Sequence, residues 1–118
     1  MDATTRATPG IVQLGSIPWA EEAPHIDSRA GTLDGVRWAV VRYGPGAERN
    51  EWCTDGHRGY VLRGHISYEL EGGGWLEVPR GAGFWLPPGP GHRGVNGDEE
   101  TQLFLIDVPD ERDGPLHA

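Results

Sequence analysis

Apolar and polar positions alternate along the chain in short runs of a few residues, each closed by Gly or Pro. Val36–Tyr43 (VRWAVVRY) is β-branched and aromatic and stops at Gly44-Pro45-Gly46. Glu48–Cys53 reads as a shorter, more polar strand. Gly59–Arg63 (GYVLR) and His65–Leu70 (HISYEL) flank Gly64, and Gly72-Gly73-Gly74 turns the chain into Trp75–Val78. Gly83–Leu86 (GFWL) ends at Pro87-Pro88, and His92–Val95 and Thr101–Val108 (TQLFLIDV) follow. Runs of this kind predict about eight or nine strands. The best helical candidate, Pro18 to His25, is held to one turn by Pro24. Many short strands with almost no helix imply an all-β sandwich or barrel, and a closed arrangement of this size fits a jelly roll.

Composition sharpens this picture. With 118 residues there is one domain and one core. Gly 19 and Pro 10 would suggest disorder if spread evenly, but they punctuate apolar runs, and five Trp argue for a packed interior. The polar ends, residues 1–10 and 109–118, read as a loose arm and a loose tail around a barrel at 11–108. A net charge of −8 with no Lys/Arg block argues against nucleic acid and anionic membrane as partners. No apolar run is long enough to span a bilayer, and the first residues lack the apolar core of a secretory signal, so a cytoplasmic protein is expected. One cysteine, Cys53, excludes an intrachain disulfide and a multi-cysteine zinc framework. No nucleophile elbow or phosphate loop occurs, and the glycine run 72–74 reads as a hairpin turn.

Gly81–Asn96 reads GAGFWLPPGPGHRGVN. It resembles the second sequence motif of the cupin superfamily, in which Gly, Pro-x-Gly, His and Asn recur at fixed spacing. Gly81, Pro87, Gly89, His92 and Asn96 occupy those places, and Ala82 stands where the family often has Asp. The first cupin motif places His-x-His and then Glu between two glycines. Gly46 and Gly64 fit its frame, and Glu51, Cys53 and His57 stand at the three ligand places, all with altered residue types. The resemblance spans residues 36–108. It implies a single-domain cupin jelly-roll β-barrel, with His92 reaching the barrel mouth from the facing sheet.

In a strand, residues two apart share a face, so Glu51 and Cys53 would point together, with His57 returning past the Thr54-Asp55-Gly56 turn. Glu51, His57 and His92 alone form the two-histidine-one-carboxylate set suited to non-haem iron. A Cys53 thiolate added to them shifts the preference towards zinc or another softer-ligand metal. Set against this, Cys53 is equally at home as a small buried hydrophobe, Glu51 as a solvated strand residue and His57 as the close of a turn. His65, His25 and His117 carry no expected role. Arg42 and Arg58 could meet an acidic ligand but fit the surface better. Trp38, Trp52, Tyr60, Tyr68, Trp75, Phe84 and Trp85 read mostly as packing, with a few left to line an apolar mouth.

The expectation that follows is a small metal-binding cupin with ligands Glu51, Cys53, His57 and His92, holding a divalent ion (Fe, Zn, Ni or Mn). Oxygenase or metal-assisted lyase or isomerase chemistry on a small organic molecule fits such a site, with Tyr60 or an unligated Glu51 as acid or base. Two alternatives stand beside it: a non-catalytic ligand-binding or sensor cupin, and a metal-free sugar isomerase or epimerase using His57 or His92 as base. A homodimer is expected as well, with the apolar residues 11–14 (IVQL) placed for strand exchange.

Overall fold

The computed structural model describes residues 8–109. Its alternating runs form β1 (Ala20–Ala23), β2 (Ile26–Leu33), β3 (Val36–Tyr43), β4 (Gly56–Arg63), β5 (His65–Leu70), β6 (Trp75–Pro79), β7 (Gly83–Leu86), β8 (His92–Asn96) and β9 (Thr101–Val108). All pairings are antiparallel. A six-stranded sheet runs β1-β2-β3-β9-β4-β7, and a three-stranded sheet runs β6-β5-β8. The two sheets face each other as the all-β jelly-roll barrel that the strand spacing implies.

The start of the chain differs from the sequence expectation. Pro18 to His25 is not a helical turn: a short 3₁₀ turn lies earlier, at Leu14–Ser16, and Ala20–Ala23 is an edge strand. β2 was hidden by its small and polar residues, yet Ile26 and Ser28 are buried. Its hairpin with β3 closes through Asp34 (φ 55°) and Gly35 (φ 77°), between the paired residues Leu33 and Val36. Positive φ at both central residues is the two-residue turn that matches strand twist, and Asp-Gly is its favoured sequence. Residues 48–53 form no strand: Glu48 bridges Val95 and Cys53 bridges His92, with irregular backbone between. β4 starts at Gly56, three residues before the expected Gly59, which makes His57 a strand residue.

Period-two burial sets what faces inward. Ala39, Val41 and Tyr43 of β3, Val61 of β4, and Thr101, Leu103 and Leu105 of β9 come from one sheet; Ile66 and Tyr68 of β5 and Val78 of β6 come from the other. Burying a side chain such as Ile66 or Leu103 contributes about 1.5–3 kcal/mol. Asn96 ties the second motif to this core. Its side-chain amide donates to the carbonyls of Tyr43, Gly44 and Glu99 at 3.2, 2.8 and 2.7 Å, and its Oδ1 lies 2.7 Å from the Thr101 hydroxyl. Gly89 has φ 107°, open only to glycine, and fixes the turn that delivers His92. Among the described residues no helix is long and apolar enough to cross a membrane.

Candidate metal centre

Strand register assembles the site. β4 and β9 pair His57 with Asp107, and the inward alternation Thr101, Leu103, Leu105 continues to Asp107 at the barrel mouth. His57 Nδ1 lies 3.1 Å from Asp107 Oδ1. A carboxylate only accepts, so the proton sits on Nδ1 and Nε2 is the accepting nitrogen. That Nε2 is 3.7 Å from Cys53 Sγ. β8 supplies His92, and two backbone hydrogen bonds lock it to Cys53: Cys53 N–H to His92 O at 2.8 Å and His92 N–H to Cys53 O at 3.0 Å. The rings of His57 and His92 meet edge to face, 5.2 Å apart, and Tyr68 meets His92 edge to face at 5.8 Å.

One ligand atom from each of Cys53, His57 and His92 lies within 4.8 Å of the others. His92 is only 4% exposed, and its Nε2 is buried without a hydrogen-bond partner among the described residues. A buried polar nitrogen left unpaired costs roughly 1–3 kcal/mol, a penalty that a bound ion removes. Burial lowers the His92 pKa to about 4, with His57 beside it adding repulsion. Burial also lowers His57, against the opposing charge and hydrogen bond of Asp107. Both imidazoles are therefore neutral near pH 7, the form that ligates metal. Burial raises the Cys53 thiol, so an ion must displace its proton. One thiol and two imidazoles, with an unpaired nitrogen among them, fit a borderline-soft divalent ion.

The group opens into a cavity of about 820 Å³, lined by apolar Val41 and Leu105, by Tyr43 and Tyr68, and by a ring of charged side chains. Glu51 lines this cavity too but is exposed and lies outside the Cys53–His57–His92 group. The shared face expected for Glu51 and Cys53 needs strand geometry, which residues 48–53 lack. Tyr60 is 44% exposed on the outer face of β4, away from the cavity, which argues against it as an acid or base. Arg42 pairs with Asp27 at 2.8 Å, and Arg58 lies over the Trp85 ring at 4.6 Å. The arginines of the cavity are instead Arg37, Arg49 and Arg93. Asp107, Arg37 and Tyr68 were within reach of the alternation rule, since each has the inward parity of its strand; Arg49 lies in a loop with no such signal.

No protein-family model matches the sequence, and a search of curated proteins finds no match. Solved structures do match. The cupin domain of Cnp3 from Schizosaccharomyces pombe has a TM-score of 0.73 at 16% identity, over 89% of this chain and 77% of that one. An RmlC-like cupin from Shewanella frigidimarina has a TM-score of 0.70 at 16% identity, over 90% and 96%. The polyketide cyclase RemF from Streptomyces resistomycificus has a TM-score of 0.68 at 20% identity, over 85% and 79%. Two facing antiparallel sheets, the Gly81–Asn96 motif and these likenesses agree: the chain has the fold of the cupin superfamily.

Proposed function

We propose that the protein is a metal-binding cupin that acts on a small organic molecule in the cavity beside Cys53, His57 and His92. The observation that carries this reading is the buried Nε2 of His92, without a partner among the described residues, next to a thiol and a second imidazole. Cys53, His57 and His92 would hold the ion as three protein ligands, the number found in catalytic rather than structural zinc-type sites. The chemistry such an ion would supply there is Lewis-acid polarisation of a substrate oxygen. That favours lyase or isomerase chemistry over oxygenase chemistry, because the carboxylate that would complete the iron-type set, Glu51, stands apart.

The chain's own residues do the rest. Asp107 fixes the tautomer and ring plane of His57. Burial pushes the Tyr68 hydroxyl well above the ordinary tyrosine pKa, so it stays protonated and is a hydrogen-bond donor at the cavity wall. RemF, named as a polyketide cyclase, supports the view that this fold hosts chemistry on small organic molecules. A cytoplasmic setting, where thiols stay reduced, suits Cys53 as a ligand. Cobalt loading tests the reading: a thiolate-to-cobalt charge-transfer band is expected, lost in Cys53→Ser. Stoichiometric cobalt with no such band would remove Cys53 from the ligand set, and no uptake would favour the sensor alternative.

A further inference from the structure

The cavity holds a second polar set besides the metal candidates. Arg37 of β3 and Arg49 of the following loop are joined through Glu22 of β1. Arg49 Nη2 donates to Glu22 Oε1 at 2.7 Å, and its Nε donates to the Tyr43 hydroxyl at 3.2 Å. Arg37 Nη2 donates to the other Glu22 oxygen and, at 3.5 Å, to the Ser28 hydroxyl. Two guanidinium groups thus share one carboxylate, and among the described residues neither has another ion pair. One positive charge is left over. Nη1 of Arg49, and Nη1 and Nε of Arg37, make no hydrogen bond to any described residue, although both side chains line the cavity.

The third arginine of the wall is already committed: Arg93 donates to Glu69 at 2.8 Å and lies over Trp52 at 4.1 Å. The leftover charge shares a cavity with the metal candidates, since Arg37 and Arg49 line it together with Cys53, His57 and His92. Of the other acidic groups of the cavity, Asp107 accepts from His57 Nδ1, and Glu51 and Asp55 are exposed.

We propose that this arginine pair anchors the substrate's acid group. The cavity takes a small organic monocarboxylate, received by the free N–H groups of Arg37 and Arg49, with its reacting end turned towards Cys53, His57 and His92. The orientation rests on the metal reading above; the preference for an anion does not. Guanidinium donors match the planar carboxylate, and a single negative charge neutralises the set.

The test is a ligand-observed NMR titration of the protein as purified and after chelator treatment, with metal content measured in both. Benzoate is compared with benzamide, and pyruvate with pyruvamide. At least one acid is expected to bind about tenfold or more tightly than its amide, with and without metal. Arg49→Gln is expected to bring the acid down to the affinity of the amide while leaving metal stoichiometry unchanged. Arg37→Gln serves if that variant does not fold. Equal affinity of acid and amide, no saturable binding of either acid, or a preference untouched by both substitutions would overturn the proposal. Tighter binding of phenyl phosphate than of benzoate to the stripped protein would overturn the single-charge match. An anion preference in protein that holds no metal as purified and takes up none on incubation with zinc sinks the metal reading and leaves the anchor standing; metal without the preference does the reverse.

Discussion

Proton competition at a single sulfur sets how the site answers to pH. The Cys53 thiol is raised by burial, so at neutral pH an incoming ion must displace its proton. The His92 imidazole, at about 4, is already neutral above pH 5 and adds no further dependence. Metal affinity is therefore expected to climb with pH by up to about tenfold per unit between pH 6 and 8. Competition titration against a chelator across that range checks this, and a flat profile would exclude the thiolate. In Cys53→Ser the slope should vanish along with most of the affinity. Asp107→Asn probes the residue behind His57. An amide can present its NH₂ to Nδ1 and release the tautomer, so metal affinity should fall by roughly 10–100-fold with the fold intact. At this scale His92 was legible from its motif, because Gly89 and the prolines before it fix its direction. The inward parity of Asp107 follows from alternation, but only the β4–β9 register shows that it faces His57.

The strands that hold the site differ in how openly their sequences declare them. β3 and β9 are rich in Val, Leu, Trp and Phe and stand out by propensity. β2, with Ser28, Arg29, Gly31 and Thr32, is a strand because it pairs with β3, and its one local signal was the Asp34-Gly35 turn. The segment 48–53 has the opposite character. Its alternation suggests a strand, but it makes only two isolated bridges, at Glu48 and Cys53, with irregular backbone between. Tertiary pairing, which a single sequence does not display, decided both. Asn96 offers a test of what fastens β8 to its surroundings. Asn96→Ala strands three backbone carbonyls and a hydroxyl partner, and should cost roughly 2–4 kcal/mol in urea denaturation. A loss below about 0.5 kcal/mol would mean that water replaces these bonds without penalty.

On the scale of the whole molecule, the large sheet leaves Tyr60, Leu62 and Trp85 exposed on its outer side, on β4 and β7. Residues 11–14 lie beside the chain's own β2, with Val12 close against Gly31. We expect two copies to pair, and sedimentation at micromolar concentration should give twice the 12.9 kDa chain mass; a monomer mass would reject this. The barrel itself brings Cys53, His57 and His92 together in one cavity and, among the described residues, leaves His92 Nε2 without a partner. Metal analysis of protein purified without an affinity tag, alongside His92→Ala, tests the central claim most directly. About one equivalent of a divalent metal per chain is predicted for the natural sequence, and background levels for a His92→Ala variant with an unchanged circular dichroism spectrum. Background metal in the natural protein that stays at background after incubation with zinc, or equal stoichiometry in a folded His92→Ala, would contradict it.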